Sequence, residues 1–257
     1  MSDPTRDLEQ TVALVTGASS GIGQAAAKAL AERGAAVALV ARRADRLEQL
    51  GGEIADAGGT ALPVEADVSD RKQAAAVVGR VMDELGRLDV LVNNAGVMLL
   101  GPVVDAPVEE WEQMIQVNLL GLLYTAHAAL PHLLKAAEGD PRRVADLVNI
   151  SSVAGRQARK GSGVYNATKH GVGAFSESLR QEVAGRHLRV SLVEPGAVDT
   201  ELQSHNRPEI EKEIRGRFEE MDILQAEDIA DAITYVVTRP RHVAANEILV
   251  RPTQQEQ

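Results

Sequence analysis

Thr16-Gly17-Ala18-Ser19-Ser20-Gly21-Ile22-Gly23 is the stretch that decides how this chain folds. It follows a short apolar run, Val12-Ala13-Leu14-Val15, and opens an alanine-rich stretch from Gln24 to Arg33. A buried strand, a tight glycine turn and a helix start, in that order, make a phosphate site. Helix starts leave backbone N–H groups unpaired and carry partial positive charge. Glycines let the backbone approach an anion closely. The spacing here is G-x-x-x-G-x-G, which differs from G-x-G-x-x-G, and no Lys-Ser or Lys-Thr pair follows the last glycine, which argues against a P-loop. A phosphate-bearing cofactor is therefore expected at Gly17, Ser19, Ser20, Gly21, Ile22 and Gly23.

Working outward, the same strand-then-helix rhythm repeats along the chain. Strands are predicted at Val12–Val15, Val37–Ala41, Ala61–Val64, Val90–Val92, Leu147–Ile150, Val190–Val193 and Ile248–Val250. Helices are predicted at Gly21–Arg33, Ala44–Ala57, Arg71–Leu85, Val108–Lys135, Val164–Gly185 and Ala226–Thr238. Val- and Leu-rich strands separated by helices point to an α/β fold, a doubly wound parallel sheet with helices on both faces. Seven strands predict one Rossmann-type domain over residues 1–257. Ligands of such sheets bind beyond the strand C-terminal ends. Glu138–Arg143 reads as a surface turn. Thr200–Leu224 is polar, charged and weakly helical. It is either a segment that covers a ligand or an ordinary surface helix pair.

Composition narrows the class. Aromatic residues make up only 2% of the 257, so a core must be built from Ala, Val, Leu and Ile. A formal net charge of −10 argues against non-specific binding to nucleic acid or anionic membranes. The chain has no cysteine, hence no disulfide or thiolate chemistry. The six histidines show no metal-ligand spacing, so no metal is expected. No signal-peptide core is evident in Met1–Gln10, and no uninterrupted apolar stretch is long enough to span a bilayer. A soluble, cytoplasmic protein is the expectation.

Chemistry concentrates at the predicted strand ends. Tyr165 and Lys169 lie four residues apart, so they share a helix face. A free tyrosine titrates near ~10, and a nearby cation brings that down. Ser152 follows the fifth strand and precedes Tyr165 by 13 residues. Its hydroxyl and the phenol converge on one substrate oxygen if the loop folds back. Ser151 competes for that role, and because adjacent strand residues point oppositely, one of the two faces the site. Asn93-Asn94-Ala95-Gly96 follows the fourth strand and offers amide contacts. Asn118 is a polar residue inside the apolar run Val117–Leu123. It either bonds backbone groups or holds a water near the site.

Taken together, Thr16–Gly23, Asn93–Gly96, Asn118, Ser152, Tyr165, Lys169 and Pro195-Gly196 with Thr200 resemble the short-chain dehydrogenase/reductase family over nearly the whole chain. The resemblance implies a nicotinamide cofactor and hydride transfer between carbonyl and alcohol. It implies Tyr165 as the acid/base and Ser152 as holder of the substrate oxygen. Lys169 would bind the nicotinamide ribose and lower the tyrosine pKa, and Asn118 would hold a relay water. Asn94, Ala95, Gly96, Pro195, Gly196, Val198 and Thr200 would contact the cofactor. It implies Asp67 and Val68 at the adenine, although an Asp capping the next helix is the other reading, with Ser69 or Asp70 also able to cap.

The end of the second strand, Ala41-Arg42-Arg43, lacks the acid that would bond a ribose 2′-OH. Arginine matches phosphate with paired donors, so Arg42 and Arg43 resemble the NADP-preferring members, unless they are merely solvated. NADP(H) is the expected cofactor. Val97–Pro102, Pro195–Leu202 and Asn246–Thr253 resemble a branch containing clavulanate-type aldehyde reductases and 3-hydroxy-acid (serine-type) dehydrogenases. Met98, Val153, Ala154, Gln157, Tyr165 and Glu201 are the substrate-pocket candidates, with Arg156, Arg159 or Lys160 available for an anionic substrate. The resemblance further implies a homo-oligomer, a tetramer, acting on a small carbonyl or alcohol. The competing function is an NADP(H)-binding sensor of the same fold without turnover.

Overall fold

The strand that feeds the glycine turn, β1 (Val12–Thr16), is buried along its whole length in the interior of a seven-stranded sheet. The remaining strands are β2 (Ala36–Ala41), β3 (Thr60–Glu65), β4 (Val90–Asn93), β5 (Ala145–Ile150), β6 (Leu188–Pro195) and β7 (Glu247–Val250). Their order is β3-β2-β1-β4-β5-β6-β7, and every neighbouring pair is parallel. The computed structural model describes residues 6–139, 141–218 and 221–256. Asp140, within the expected turn Glu138–Arg143, and Glu219 and Glu220, within 200–224, lie outside them.

The topology follows from the sequence pattern. Central strands carry apolar residues on both faces because helices cover both. Ala13 and Val15 of β1 face one core, with Leu30 of α1 (Gly21–Glu32), Leu47 and Leu50 of α2 (Ala44–Asp56), and Ile229 and Ile233 of α8 (Ala226–Val237). Val12 and Leu14 face the other core. Its helices are α3 (Arg71–Leu85), the later part of a long helical run (Ala126, Leu133) and α6 (Gly163–Val183; Leu179, Val183). The edge strand β7 alternates exposed and half-buried residues, and β3 alternates half-buried and buried residues between exposed ends. Small side chains, Ala26 and Ala27, are fully buried on α1, where it lies against the sheet and α8.

The long helical run is the chief departure from the predicted elements. One helix was expected over Val108–Lys135. The structure has α4 (Val108–Met114), a π-helical stretch Ile115–Gly121, and α5 (Leu122–Glu138). By length and mean hydropathy (1.2) Val108–Glu138 is apolar enough to cross a membrane, although polar and charged residues interrupt its apolar run. Its apolarity has a packing reason: Ala126, Ala129 and Leu133 lie in the second core. Thr200–Leu224 forms a 3₁₀ turn, Glu201–His205, followed by α7 (Pro208–Phe218).

A buried ionic network fastens α8 to the sheet. Arg189 on β6 pairs with Asp146 on β5 at 2.7 and 3.0 Å, and both are buried. The same guanidinium donates to the carbonyls of Val237, Arg239 and Val243. Those carbonyls lie at and beyond the C-terminus of α8, so the cation satisfies acceptors the helix leaves open.

The chain winds outward from β1 to β3, then crosses back to β4 and continues the other way. That reversal makes the β1/β4 boundary the topological switch point, where a crevice opens beyond the strand ends. The glycine turn follows β1 there, and Asn94–Gly96 follows β4.

Candidate active site

The glycine turn is shaped by close approaches. Gly17 has φ +68°, and a Cβ on it would lie 2.9 Å from the Ala95 Cα. A Cβ on Gly23 would collide with the Gly17 carbonyl and the Asn94 amide. Asn94 holds the turn from across the switch point, its Nδ2 donating to the Thr16 carbonyl at 3.0 Å. The Thr16 hydroxyl accepts from the Asn94 and Ala95 backbone N–H groups at 3.0 and 3.1 Å. Ser20 is the N-cap residue of α1, yet its hydroxyl accepts from Arg43 at 2.8 Å instead of capping the helix. The first-turn N–H groups of α1 thus have no side-chain cap.

A cleft of about 420 Å³ runs from this turn across the strand ends. At one end stand Arg42, Arg43, Asp67 and Val68; in the middle Gly17, Ser19, Ser20, Gly21, Ile22, Asn94, Ala95 and Gly96. At the other end lie Met98, Ser152, Val153, Ala154, Tyr165 and Lys169, with Pro195, Gly196, Val198 and Thr200 along one wall. Asp70, not Asp67, caps α3, accepting from the Lys72 and Gln73 N–H groups. The Asp67 carboxylate accepts from the Ser69 N–H and hydroxyl.

At the Tyr165 end, the strand-end alternation separates the two serines. Ser151 is buried and its hydroxyl is engaged by the chain itself, donating to the Lys169 carbonyl at 3.3 Å. Ser152 faces the cleft, and its Oγ accepts from the Ala154 N–H at 3.1 Å. Burial pushes the Tyr165 phenol up to about 12, opposed by its hydrogen bond with Ser152. Burial pushes Lys169 down to about 8. The Lys169 Nζ donates to the Ile150 carbonyl at 2.8 Å and stands 5.8 Å from the Tyr165 ring centre. The expectation of a lowered tyrosine pKa is therefore not met by the chain's own groups. Desolvation of a fully enclosed phenol outweighs its neighbours.

Four expectations need correction. Gln157 is exposed and does not line the cleft, because the turn after Val153 carries it outward. Glu201 lines the opposite end from Tyr165. Its carboxylate accepts from Arg43 at 2.9 Å and Arg46 at 2.6 Å, and these hold its pKa down to about 2. Arg156, offered as an anion anchor, is taken by Glu194 (2.6 Å) and Glu247. Gly23 packs behind the turn and does not line the cleft.

Asn118 sits in the π-helical stretch and is buried behind the cleft. Between the two readings left open, its amide takes the backbone one. Oδ1 accepts from the Val97 N–H at 2.7 Å and Nδ2 donates to the Val97 carbonyl at 2.8 Å. π-Helical turns often mark functional sites, and this one sets the loop that forms a cleft wall.

Sequence reasoning missed several residues that line the cleft: Asn166, Gln203, His205, Ile214 and Gln255. Asn166 lies one residue past Tyr165, a position that periodicity alone assigns to another helix face. Gln203, His205 and Ile214 belong to the 200–224 segment, whose weak amphipathicity gave no residue-level signal. Gln255 reaches the cleft through a tail contact, its Oε1 accepting from the Ala197 N–H at 2.9 Å.

A parallel doubly wound sheet with a glycine turn at its switch point and Ser152, Tyr165 and Lys169 across the cleft is shared with a large class of enzymes. The family model for short chain dehydrogenase matches residues 11–211. A glycine betaine reductase of Emericella nidulans is 42% identical over 251 residues, 97% of this chain, and the chain spans only 19% of that protein's length. An uncharacterized oxidoreductase of Staphylococcus aureus is 37% identical over 245 residues, 95% of this chain and 98% of that protein. The solved structure of the closed form of serine dehydrogenase complexed with NADP+ superposes with a TM-score of 0.88. It is 32% identical and covers 96% of this chain and 97% of that one. The chain belongs to the short chain dehydrogenase family and is an oxidoreductase of that family.

Proposed function

We propose that this oxidoreductase transfers a hydride between NADP(H) and a small carbonyl or alcohol substrate, with Tyr165 as the acid/base. The observation that carries the reading is the convergence of Ser152, Tyr165 and Lys169 at one end of a cleft whose other end is a glycine turn beside Arg42 and Arg43. The residues fit a dinucleotide. The turn is narrowed to glycine, α1 offers uncapped N–H groups, and arginines stand where a 2′-phosphate would lie. The NADP+ in the related serine dehydrogenase supports the same cofactor here.

Gly17–Ile22 would hold the pyrophosphate, Arg42 and Arg43 the 2′-phosphate, Asp67 and Val68 the adenine, and Pro195–Thr200 the nicotinamide side. When bound, the nicotinamide supplies the hydride chemistry. In reduction, as the carbonyl carbon gains the hydride, Tyr165 gives its phenolic proton to the carbonyl oxygen. Ser152 donates a hydrogen bond to that oxygen. With a phenol near 12 the proton is firmly in place for reduction. In oxidation the phenolate is needed, and Lys169 together with the positive oxidised ring would favour it.

Val153, Ala154 and Met98 make a compact, largely apolar pocket, suited to a small carbonyl compound. The names of the relatives, a glycine betaine reductase and a serine dehydrogenase, support a small substrate without fixing one. A soluble cytoplasmic homo-oligomer, a tetramer by resemblance, completes the proposal. Exposed Val108 and Ile115 on the long helical run favour self-association, and light scattering tests it. The function is tested by screening NADPH oxidation with aldehydes, ketones, β-keto acids and diketones, with NADH in parallel. Consumption of neither nucleotide with any carbonyl would favour the sensor reading.

A further inference from the structure

Glu201 brings an anion of the chain's own to the arginine end of the cleft. Its Oε2 accepts from Arg43 Nη1 at 2.9 Å and its Oε1 from Arg46 Nη1 at 2.6 Å. The Ser20 hydroxyl is a third partner. Arg43 in turn donates to the hydroxyls of Ser19 (3.0 Å) and Ser20 (2.8 Å). Two arginines and the hydroxyls at a helix start are a donor set for a phosphate, and here a carboxylate occupies it.

The pair is not a buried structural tie. The side chains of Arg43, Arg46 and Glu201 are 41%, 44% and 42% exposed, so water and ligands reach them and the attraction is modest. Glu201 also comes from far along the chain, as the first residue of the 3₁₀ turn Glu201–His205. The other end of that turn has its own anchors. Asn206 accepts from the Leu100 N–H at 2.7 Å, and Arg207 pairs with Glu110 at 3.2 Å. Releasing Glu201 therefore leaves the segment fastened at its far end.

We propose that Glu201 is a resident anion that competes with the cofactor's 2′-phosphate for Arg43, so that a 2′-phosphorylated nucleotide detaches the Glu201–His205 turn from the arginine end of the cleft. The proposal rests on the NADP(H) reading. A nucleotide without the 2′-phosphate does not compete for this donor and leaves the contact in place. Glu201 is thus a specificity-determining residue. It lowers affinity for the phosphorylated nucleotide alone, and it couples that phosphate to a segment that lines the cleft.

The test uses 2′,5′-ADP and 5′-AMP as probes in calorimetric titrations of the full chain at low salt. Wild type binds 2′,5′-ADP more tightly than 5′-AMP. Glu201→Gln tightens 2′,5′-ADP by about fivefold, the scale of an exposed ion pair, and leaves 5′-AMP unchanged. Unchanged or weaker 2′,5′-ADP binding in Glu201→Gln, with the wild-type preference intact, overturns this proposal and spares the cofactor reading. Equal binding of the two probes by wild type overturns the cofactor reading, and the proposal with it. Hydrogen exchange on wild type gives a second measurement. 2′,5′-ADP should speed exchange of the 201–205 amides relative to 5′-AMP, and added protection there would contradict the competition.

Discussion

Asn118 grips Val97 by both backbone groups, its amide oxygen accepting from the N–H at 2.7 Å and its amide nitrogen donating to the carbonyl at 2.8 Å. Both residues are buried, so water cannot replace the lost bonds. Asn118→Ala should cost about 2–4 kcal/mol, the price of two unsatisfied buried backbone groups. Asn118→Asp should not recover this, because a carboxylate still accepts from the N–H but faces the Val97 carbonyl with a second acceptor and is costly to bury as a charge. Urea unfolding of the three proteins checks both expectations. Equal stability of Asn118→Ala and wild type would show that the contact is dispensable.

Lys169 makes stability depend on pH in a defined direction. Its ammonium titrates near 8 in the folded chain and near 10.5 when unfolded. Between these values the unfolded chain holds a proton that the folded chain lacks, so stability rises with pH there. The penalty for charging the buried amine is fully present below 8 and absent above 10.5. It amounts to about 3 kcal/mol. Lys169→Met removes it. The stability of wild type relative to Lys169→Met should therefore improve by about 3 kcal/mol between pH 7 and pH 10.5. A difference that stays flat across that window would refute the burial-driven shift.

Removing Arg189 should be costly. Asp146 would remain buried with Arg142 alone as a cationic partner, and the carbonyls at the end of α8 would lose their donor. Arg189→Ala is expected to lose about 3–5 kcal/mol. Hydrogen exchange should also rise in α8, which the network fastens to the sheet. A loss under about 1 kcal/mol on urea denaturation would mean the network contributes little.

Much of the fold was legible because its signals are local. Each of the seven strands is built around a short run rich in Val, Leu, Ile and Ala, and the glycine turn announces the switch point by its spacing. Ser152, Tyr165 and Lys169 were readable because strand alternation and an i, i+4 interval place them. What escaped depends on contacts across the chain. The π-helical stretch Ile115–Gly121 shifts hydrogen bonding by one residue without any compositional mark. Glu201 read as a pocket residue because nothing near it in sequence reveals Arg43 and Arg46, which the sheet topology brings to it. Arg156 likewise looked available until β6 and β7 supplied Glu194 and Glu247. The tyrosine pKa ran opposite to expectation because the Tyr–Lys spacing reveals a neighbour but not the depth of burial.

Arg43 should decide between nicotinamide cofactors. Its guanidinium is already oriented by Ser19 and Ser20, so little ordering is required to meet a phosphate. Arg43→Ala should reduce the preference for NADPH over NADH by about tenfold or more, read as the ratio of kcat/KM values for the two nucleotides. An unchanged ratio would assign the phosphate to other residues.

The central claim is that Tyr165 moves the proton in a hydride transfer at this cleft. It is tested most directly by comparing wild type and Tyr165→Phe in steady-state NADPH oxidation, using whichever carbonyl the screen identifies. NADPH binding is followed separately by nucleotide fluorescence. The phenylalanine keeps the ring and its packing and removes only the hydroxyl. Turnover should fall by at least about 100-fold while NADPH affinity stays within a few-fold of wild type. Turnover within tenfold of wild type, with binding intact, would contradict the assignment.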